Sequence, residues 1–360
     1  MIHAESSSYP IYFERDFSQL TKSIRELEKN YTSFVIITDS HVQPLYASIL
    51  EEELSTFNKP IHLISFEAGE MNKNLSTMEH FYEQMIEFSV DRSGLILALG
   101  GGVTGDMAGF AAATYMRGID FVQIPTSLLA QVDSSVGGKT GIDFNGYKNI
   151  IGAFNQPKFV FINVATLNTL PLRELYAGMG EVIKHALIKD ASYYQYLVEH
   201  ANDILTYNLD VLIDMIAWSC QIKKRVVDED EKEQGARALL NFGHTMGHAI
   251  ERLKGFDLVH GECVAIGMHG ELLLSKALGY IEQTIVDQGI ELIQLYRLPI
   301  TTSGLNATQI YQEMFHDKKT KGSTLMFALL SQLGESFLSK SPISEELIKQ
   351  CLDSILHELS

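Results

Sequence analysis

The chain has 360 residues, of which 46% are hydrophobic and 20% are charged, proportions typical of a globular protein rather than a disordered one. This length favours two domains over one small core. With 28 Lys and Arg against 45 Asp and Glu, the formal net charge of −17 argues against a broad surface for nucleic acid or anionic membrane, but it allows a local basic pocket for a small anion.

Short apolar segments alternate with helical patterns as far as about residue 170. They are FVIITD (34–39), PIHLISF (60–66), GLILALG (94–100), FVQIPTS (121–127) and FVFINV (159–164). Because these segments are continuously apolar, we expect strands that are buried on both faces of a mostly parallel sheet. The pattern predicts an α/β nucleotide-binding domain over residues 1–172.

A glycine-rich turn follows the third of these segments. Gly100, Gly101, Gly102 and Gly105 lead from the strand into an Ala-rich helical pattern. Such glycines let a diphosphate approach the free N–H groups of a helix N-terminus, although the spacing is not GxGxxG. A tight turn that requires positive φ is an equally good interpretation.

Asp39, at the end of the first segment, either accepts hydrogen bonds from a ribose or caps the next helix.

Polar residues concentrate at two further places in this half. Glu70 and Lys73 are spaced i, i+3, which is most simply a solvated capping pair. Residues 125–152 resemble a glycine-rich loop after a strand, where hydroxyls, amides and lysines suit a phosphate or carboxylate, although single exposed lysines are usually only solvated. The polar side chains of this loop are Asp133, Ser134, Ser135, Lys139, Thr140, Lys148 and Asn149.

From about residue 173 onward a period of 3.6 residues dominates, and we predict a mainly α-helical domain over residues 173–360. It contains three further basic candidates, Lys184, Lys223 and Arg237. Helical spacing would place Arg237 on the same face as His244, two turns away.

Three histidines fall within seventeen residues of this half. His244 and His248 are spaced i, i+4 on one helix face, and His260 follows twelve residues after His248. Imidazoles suit a divalent metal, and Glu181 is the natural carboxylate to complete an open site. The protease motif HExxH is absent, because Thr245 follows His244. Spacing alone favours His244 and His248 as the ligand pair, whereas a lone histidine is more often structural.

The cysteines and the N-terminus indicate the compartment. Cys220, Cys263 and Cys351 are odd in number, widely spaced and free of CxxC, which argues against disulfides or a zinc–thiolate site. The chain shows no signal-peptide pattern and no run of ~18 apolar residues. We therefore expect a cytoplasmic protein.

Taken together, these segments resemble the 3-dehydroquinate synthase family, a group of sugar-phosphate cyclases related in fold to iron-dependent alcohol and glycerol dehydrogenases. The resemblance spans about residues 35–335 and is carried by GGGVTGDMAGFAAATYMRG, PTSLLAQVDSSVGGKTG, KNIIGAFNQP, TLPLRELYAGMGEVIK and LNFGHTMGHAIE followed by HGE. It departs from the usual pattern at Asp143 and Phe144, where many relatives have an Asn-His-Pro type of sequence.

The resemblance implies a set of site residues. The implied metal ligands are Glu181, His244 and His260, while His248 contacts substrate or relays protons, together with Glu233. The implied NAD contacts are Asp39, Glu70, Lys73, Gly101, Gly102, Val103, Asp106, Thr126, Ser127, Lys139, Lys148, Thr169, Leu170 and Glu174. The implied substrate contacts are Arg117, Asp133, Lys139, Lys148, Asn149, Lys184, Lys223, Arg237, Asn241 and one of Lys318 and Lys319. Those expected to be catalytic are Lys139, Lys148, Glu233, Arg237, Asn241 and His248.

The implied activity is conversion of 3-deoxy-D-arabino-heptulosonate 7-phosphate to 3-dehydroquinate and phosphate, with NAD and one divalent metal, Zn or Co, in a homodimer. Another cyclase, such as a 2-deoxy-scyllo-inosose or epi-valiolone synthase, is the nearest alternative. This chain, however, keeps the dehydroquinate synthase form around QVDSSVGGKTG and before GHT. A metal-dependent polyol dehydrogenase would accumulate NADH, and a non-catalytic homologue would have lost some of the ionisable residues.

Overall fold

The computed structural model of the chain describes residues 2–5, 9–230, 235–255, 257–315 and 325–357. These residues form two compact units. The first runs to Leu170 and also includes Leu212–Cys220, and the second comprises Pro171–Val211 and the described residues from Gln221 onward. Glu233, Lys318 and Lys319 lie outside the described residues.

The first unit is an α/β unit. Its strands are β1 (Ile2–Glu5), β2 (Pro10–Glu14), β3 (Phe34–Asp39), β4 (Ile61–Phe66), β5 (Leu95–Gly100), β6 (Asp120–Pro125), β7 (Lys139–Phe144), β8 (Tyr147–Phe154) and β9 (Val160–Asn163). Its helices are α1 (Leu20–Arg25), α2 (Gln43–Ser55), α3 (Leu75–Glu87) and α4 (Gly102–Thr114), with single turns at Glu70–Asn72, Tyr115–Arg117, Ala130–Ser134 and Val164–Thr169. Seven strands form one sheet in the order β1-β2-β9-β6-β5-β3-β4, parallel throughout except for β1.

Both faces of this sheet are buried. In β3, Phe34 and Ile36 join the apolar cluster on one face, and Val35 and Ile37 join the cluster on the other. Successive side chains of a strand point to opposite faces, so a strand that is apolar at every position requires cover on both sides. The prediction of a mostly parallel, doubly covered sheet is confirmed.

The parallel strands β3, β5 and β6 end at Asp39, Gly100 and Pro125. Gly100 pairs with Pro125 across the β5–β6 ladder, so these ends share one edge of the sheet. Ligands of open α/β sheets bind outside this carboxyl edge. The glycine-rich turn therefore lies where a nucleotide site is expected.

The segment predicted to be a glycine-rich loop instead contains an antiparallel hairpin formed by β7 and β8. Gly141 and Gly152 explain the difference. A Cβ at Gly141 would lie 2.6 Å from the carbonyl oxygen of Ile151, so the glycines allow the two strands to pair closely. The lysines Lys139 and Lys148 therefore project from a strand pair and not from an irregular loop.

The second unit is mostly helical, as predicted. Its helices are α5 (Leu172–Lys189), α6 (Ala191–Glu199), α7 (Ala201–Leu205), α8 (Leu209–Glu229, whose middle turns belong to the first unit), α9 (His244–Leu253), α10 (His260–Ala277), α11 (Gln283–Leu295), α12 (Ala307–Glu313) and α13 (Glu345–Ser354). A single turn spans Ala236–Asn241, and the short strands are β10 (Thr302–Ser303), β11 (Ala328–Gln332), β12 (Glu335–Leu338) and β13 (Leu356–His357).

One apolar core holds α9, α10, α12, α13 and β11 together. Local signals set several helix starts: the side chains of Asp190, Asn306 and Ser344 accept hydrogen bonds from first-turn N–H groups of α6, α12 and α13. Among the described residues, no helix is both long and apolar enough to cross a membrane.

Candidate active site

Four ionisable side chains converge in the second unit. Glu181, on α5, is only 1% exposed, and its Oε1 lies 3.3 Å from His244 Nε2 on α9 and 3.6 Å from His260 Nε2 at the start of α10. The His248 ring centroid lies 5.1 Å from that of His244 and 5.7 Å from that of His260. One nitrogen from each histidine falls within 4.8 Å of the others. The geometry thus brings together both the pair favoured by spacing and the set implied by the resemblance.

Glycines next to these residues allow the three helices to touch through their main chains. A Cβ at Gly261 would lie 2.5 Å from the carbonyl carbon of Ala177, which joins α10 to α5. A Cβ at Gly267 would lie 2.8 Å from the backbone nitrogen of Gly247, which joins α10 to α9. Any larger residue would separate the helices that carry the carboxylate and the imidazoles.

The charge state of Glu181 is set by its neighbours. Burial would raise the pKa of Glu181, but the Lys184 ammonium, which donates a hydrogen bond to Oε2, and His244 hold it well below its ordinary value. Oε1 accepts no hydrogen bond of acceptable geometry from the described residues. A buried, ionised carboxylate oxygen therefore faces two imidazole nitrogens.

The two imidazoles differ in their environment. Burial and Lys184 lower the pKa of His244 to about 4, against the opposing effect of Glu181. His244 Nδ1 lies 3.2 Å from the Phe242 carbonyl oxygen, which can only accept, so Nδ1 carries the proton and the Nε2 lone pair faces Glu181. Burial would also lower the pKa of His260, but Glu181 and Glu251 raise it to about 9. An imidazole lone pair and a carboxylate oxygen in close contact repel unless a cation lies between them, so this donor set fits a divalent metal.

Two buried carboxylates near the cluster were not predicted. Glu251 Oε2 lies 3.3 Å from His260 Nδ1, and Glu271 Oε2 accepts a hydrogen bond from the backbone N–H of Gly243, directly before His244. A signal for Glu251 was present in the sequence: it follows His244 by seven residues and so lies on the same helix face.

The helical spacing predicted for Arg237 is wrong. Arg237 lies in the single turn Ala236–Asn241, and Gly243, with φ 79°, separates that turn from α9. Arg237 and His244 therefore do not share a helix face. The side chains of Lys184, Lys223 and Arg237 are buried, whereas Asn241 and Glu174 are exposed.

In the first unit, the glycine-rich turn begins α4. None of Gly100, Gly101, Gly102 and Gly105 has positive φ, so the interpretation based on positive φ is wrong. A Cβ at Gly100 would lie 2.7 Å from Thr104 Cβ, and one at Gly105 would lie 2.6 Å from the Gln123 side chain, so these two glycines serve packing. At Gly101 the nearest atom would be 3.5 Å away, and as the N-cap residue of α4 Gly101 has no side chain with which to cap the first turn. Its N–H groups fit an anionic diphosphate.

Asp39 serves the local backbone. Its Oδ1 accepts hydrogen bonds from the N–H groups of His41 and Val42, and its Oδ2 accepts one from Thr104 Oγ1. These bonds close the turn after β3 and do not cap α2, whose N-cap is Val42, so the capping interpretation is wrong. The bond from Thr104 ties Asp39 to α4. The ribose contact stays a prediction.

Lys73 is not part of a solvated pair. It is 3% exposed, and its Nζ donates to Asp106 Oδ2 at 2.6 Å and to Asn149 Oδ1. Burial would lower the pKa of Lys73, but the Asp106 and Glu70 carboxylates raise it overall. Lys73 therefore links α4 to the β7–β8 hairpin.

The other candidates of this unit are more dispersed. Arg117 follows the C-terminal end of α4, which at ~1.5 Å per residue lies roughly 18 Å from Gly102, so the unit does not bring these two together. Lys148 Nζ lies 4.0 Å from Glu70 Oε1. Thr126 and Ser127 follow β6, Asp133 lies in the turn Ala130–Ser134, Lys139 begins β7, and Thr169 and Leu170 close the turn after β9.

Comparison with known proteins identifies the family. The model of the 3-dehydroquinate synthase N-terminal region matches residues 63–177, and that of the C-terminal region matches residues 178–320. A 3-dehydroquinate synthase of Ruminiclostridium cellulolyticum is 46% identical over 352 residues, 98% of either chain. The chain belongs to the 3-dehydroquinate synthase family. It is thus an enzyme of the shikimate pathway, which confirms the prediction made from the sequence motifs.

Solved structures share the dehydroquinate synthase fold. A 2-deoxy-scyllo-inosose synthase, solved with carbaglucose-6-phosphate, NAD⁺ and Co²⁺, superposes with a TM-score of 0.88 at 26% identity, covering 99% of this chain and 100% of the other. A 2-epi-5-epi-valiolone synthase of Streptomyces hygroscopicus, solved with NAD⁺ and Zn²⁺, also gives 0.88 at 24% identity, covering 99% and 98%. These cyclases, the nearest alternatives considered from sequence, are much less similar in sequence than the dehydroquinate synthase.

Proposed function

We propose that the enzyme converts 3-deoxy-D-arabino-heptulosonate 7-phosphate to 3-dehydroquinate and phosphate. The observation that carries this proposal is the 46% identity, over 98% of the chain, to a 3-dehydroquinate synthase. The convergence of Glu181, His244 and His260 in the second unit supports it, because this chemistry needs an electrophilic centre beside the substrate oxygens.

We propose NAD and one divalent metal, Zn²⁺ or Co²⁺, as cofactors. When bound, NAD supplies a reversible oxidation and the metal supplies Lewis-acid polarisation of substrate oxygens. Glu181, His244 and His260 would hold the metal, and the first-turn N–H groups of α4 at Gly102 and Val103 would hold the diphosphate of NAD. The 2-deoxy-scyllo-inosose synthase structure, which shares this fold, contains NAD⁺ and Co²⁺.

The chain's own residues have two tasks in the proposed reaction, binding of the anionic groups and proton transfer. Lys184, Lys223 and Arg237 are cations buried in an acidic protein, and we assign them to the substrate's carboxylate and phosphate. Lys139, Lys148 and Asn149, on the β7–β8 hairpin, are assigned to the same anionic groups. His248, beside His244 but only half-buried, is assigned to proton transfer during phosphate elimination. Asn241, Glu233 and one of Lys318 and Lys319 are proposed from the resemblance.

We further propose that the protein is a homodimer in the cytoplasm. The family resemblance supports the dimer, and the thiols of Cys220, Cys263 and Cys351, which form no disulfide, are consistent with a reducing compartment. Light scattering of the purified protein tests the dimer directly, because a monomeric mass of 40.3 kDa would exclude it.

The activity is tested with purified protein, the seven-carbon keto-acid phosphate, NAD and Zn²⁺ or Co²⁺. We expect phosphate and 3-dehydroquinate to be released in equal amounts without net NADH. Net NADH from a simple polyol would instead indicate a dehydrogenase. If a folded, metal-loaded protein released neither product, the proposal would be wrong. The His260→Ala variant, which lacks a proposed ligand, should lose metal and turnover together.

A further inference from the structure

We infer that Glu251 is a positioning residue that orients the imidazole of His260 for the metal. This inference rests on the proposed metal site of Glu181, His244 and His260. It assigns to Glu251 no contact with substrate or metal, only an effect exerted through the histidine ring.

The first observation is the orientation of the His260 ring between two buried carboxylates. Glu251 Oε2 lies 3.3 Å from Nδ1, while Nε2 of the same ring lies 3.6 Å from Glu181 Oε1. An ionised carboxylate can only accept, so Nδ1 donates its proton to Glu251. In the neutral ring this leaves the lone pair on Nε2, directed at the Glu181 oxygen. A hydrogen bond of this kind to a metal-binding histidine fixes both its tautomer and its orientation.

The second observation is that His244 achieves the same orientation by another means. Its Nδ1 donates to the Phe242 carbonyl at 3.2 Å, and its Nε2 lies 3.3 Å from Glu181 Oε1. When His260 is neutral, both rings thus hold the proton on Nδ1 and present Nε2 to one oxygen. The main-chain carbonyl beside His244 cannot be removed by a side-chain substitution, whereas the carboxylate beside His260 can.

The third observation concerns an alternative role for Glu251, in packing α9 against α10. Its side chain is 7% exposed, and burying a carboxylate is costly unless it is well paired. A tie between α9 and α10 is not needed for packing, because Gly243, Gly247 and Gly267 already bring these two helices into main-chain contact. A role in holding His260 explains why a carboxylate, and not an apolar side chain, occupies this position.

The test measures Co²⁺ affinity and the thermal stability of the metal-free protein in the full-length chain. Glu251→Leu removes the acceptor, and Glu251→Gln keeps an amide oxygen but not the charge. Glu313→Gln is the matched control, because it removes one carboxylate from the same unit, at a surface pair with Arg252. Affinity comes from titration of the Co²⁺ ligand-field absorption, which needs no turnover.

We expect Glu251→Leu to weaken Co²⁺ binding about 10- to 100-fold, the range for loss of such a partner, with a changed absorption spectrum. Glu251→Gln should weaken it less, and Glu313→Gln should bind as the parent does. The metal-free Glu251 variants should stay folded but melt somewhat below the control, because the buried pair of Glu251 with His260 is lost from the metal-free protein as well. Should Glu251→Leu fail to fold, Glu251→Gln alone decides, and weaker Co²⁺ binding with a changed absorption spectrum in the folded variant is the supporting result.

Two results overturn the inference: Co²⁺ dissociation constants within twofold of the parent, or weaker binding with an absorption spectrum identical to that of the parent. The second would show that the orientation of His260 at the metal does not depend on Glu251. Failure of the metal site itself is distinguishable. In that case the parent would not bind Co²⁺, or the His260→Ala variant would bind it as tightly as the parent, and both proposals would be wrong.

Discussion

The main-chain contact between α5 and α10 predicts a severe effect for Gly261→Ala. The new methyl carbon would lie 2.5 Å from the carbonyl carbon of Ala177 and 2.7 Å from its Cα. Carbon atoms in ordinary contact are ~3.5 Å apart, so the two helices must separate by about 1 Å. Neither partner is a side chain that can rotate away.

The expected loss of stability follows from this displacement of the two helices. Overpacking typically costs about 1–3 kcal/mol, and we expect the upper half of that range because both groups are backbone. The displacement should also weaken metal binding. Ligand distances in metal sites tolerate only ~0.2 Å, and Gly261 is adjacent to His260 while Ala177 lies one helical turn before Glu181. We therefore expect Co²⁺ affinity to fall at least tenfold, which corresponds to about 1.4 kcal/mol.

Two glycine variants calibrate the measurement. Gly289→Ala, in α11, also adds a methyl in a helix, but it meets the end of the Leu272 side chain at 2.6 Å, which can rotate. Gly180→Ala should be intermediate, since its Cβ would lie 2.9 Å from the Gly261 carbonyl oxygen. Thermal unfolding and Co²⁺ titration of the three variants give the comparison. If Gly261→Ala melted and bound Co²⁺ like Gly289→Ala, the proposed contact between α5 and α10 would be refuted.

Three further predictions concern other parts of the molecule. Lys73→Met should lower the free energy of unfolding by about 1–3 kcal/mol in urea titrations, because Asp106 and Asn149 lose a buried cation. Lys29→Met, at a more exposed pair with Asp120, should cost under ~1 kcal/mol, and equal costs would contradict the buried role of Lys73. Zn²⁺ at a hundredfold excess over its dissociation constant should stabilise the chelator-treated protein by about 2.7 kcal/mol, and an unchanged melting temperature would count against the metal site. Asp39→Ala should cost about 1–2 kcal/mol through loss of the hydrogen bonds from the N–H groups of His41 and Val42, and unchanged stability would show that these hydrogen bonds contribute little.

The local apolar pattern of the sequence is sufficient to predict the central strands of the sheet. β3 coincides with FVIITD, and β5 and β9 lie within the predicted segments, because burial on both faces leaves an uninterrupted apolar run. By contrast, β2 lies beside β9, a pairing between segments far apart in the chain that no local pattern encodes. The β7–β8 hairpin was also missed, since its exposed second strand, β8, and its glycines resemble a loop.

In the candidate site, too, local sequence spacing predicts some contacts, whereas contacts between distant segments were missed. Spacing along a helix correctly suggested that His244 and His248 lie close together, and their ring centroids are 5.1 Å apart. Lys73 could not be interpreted in this way, because its partners Asp106 and Asn149 are 33 and 76 residues away in the chain. The misplacement of Arg237 has a conformational cause, since a single left-handed residue, Gly243, ends the helical continuity on which the inference depended.

The main-chain contacts among α5, α9 and α10 also bear on how this protein can change over evolutionary time. Because backbone atoms set the spacing of these helices, substitutions in the apolar core behind them need not move the carboxylate and imidazoles. The apolar core can therefore change in sequence with little effect on the geometry of the carboxylate and the imidazoles. The glycines themselves have no such freedom, so divergence as large as that from a 46%-identical relative is expected to spare them.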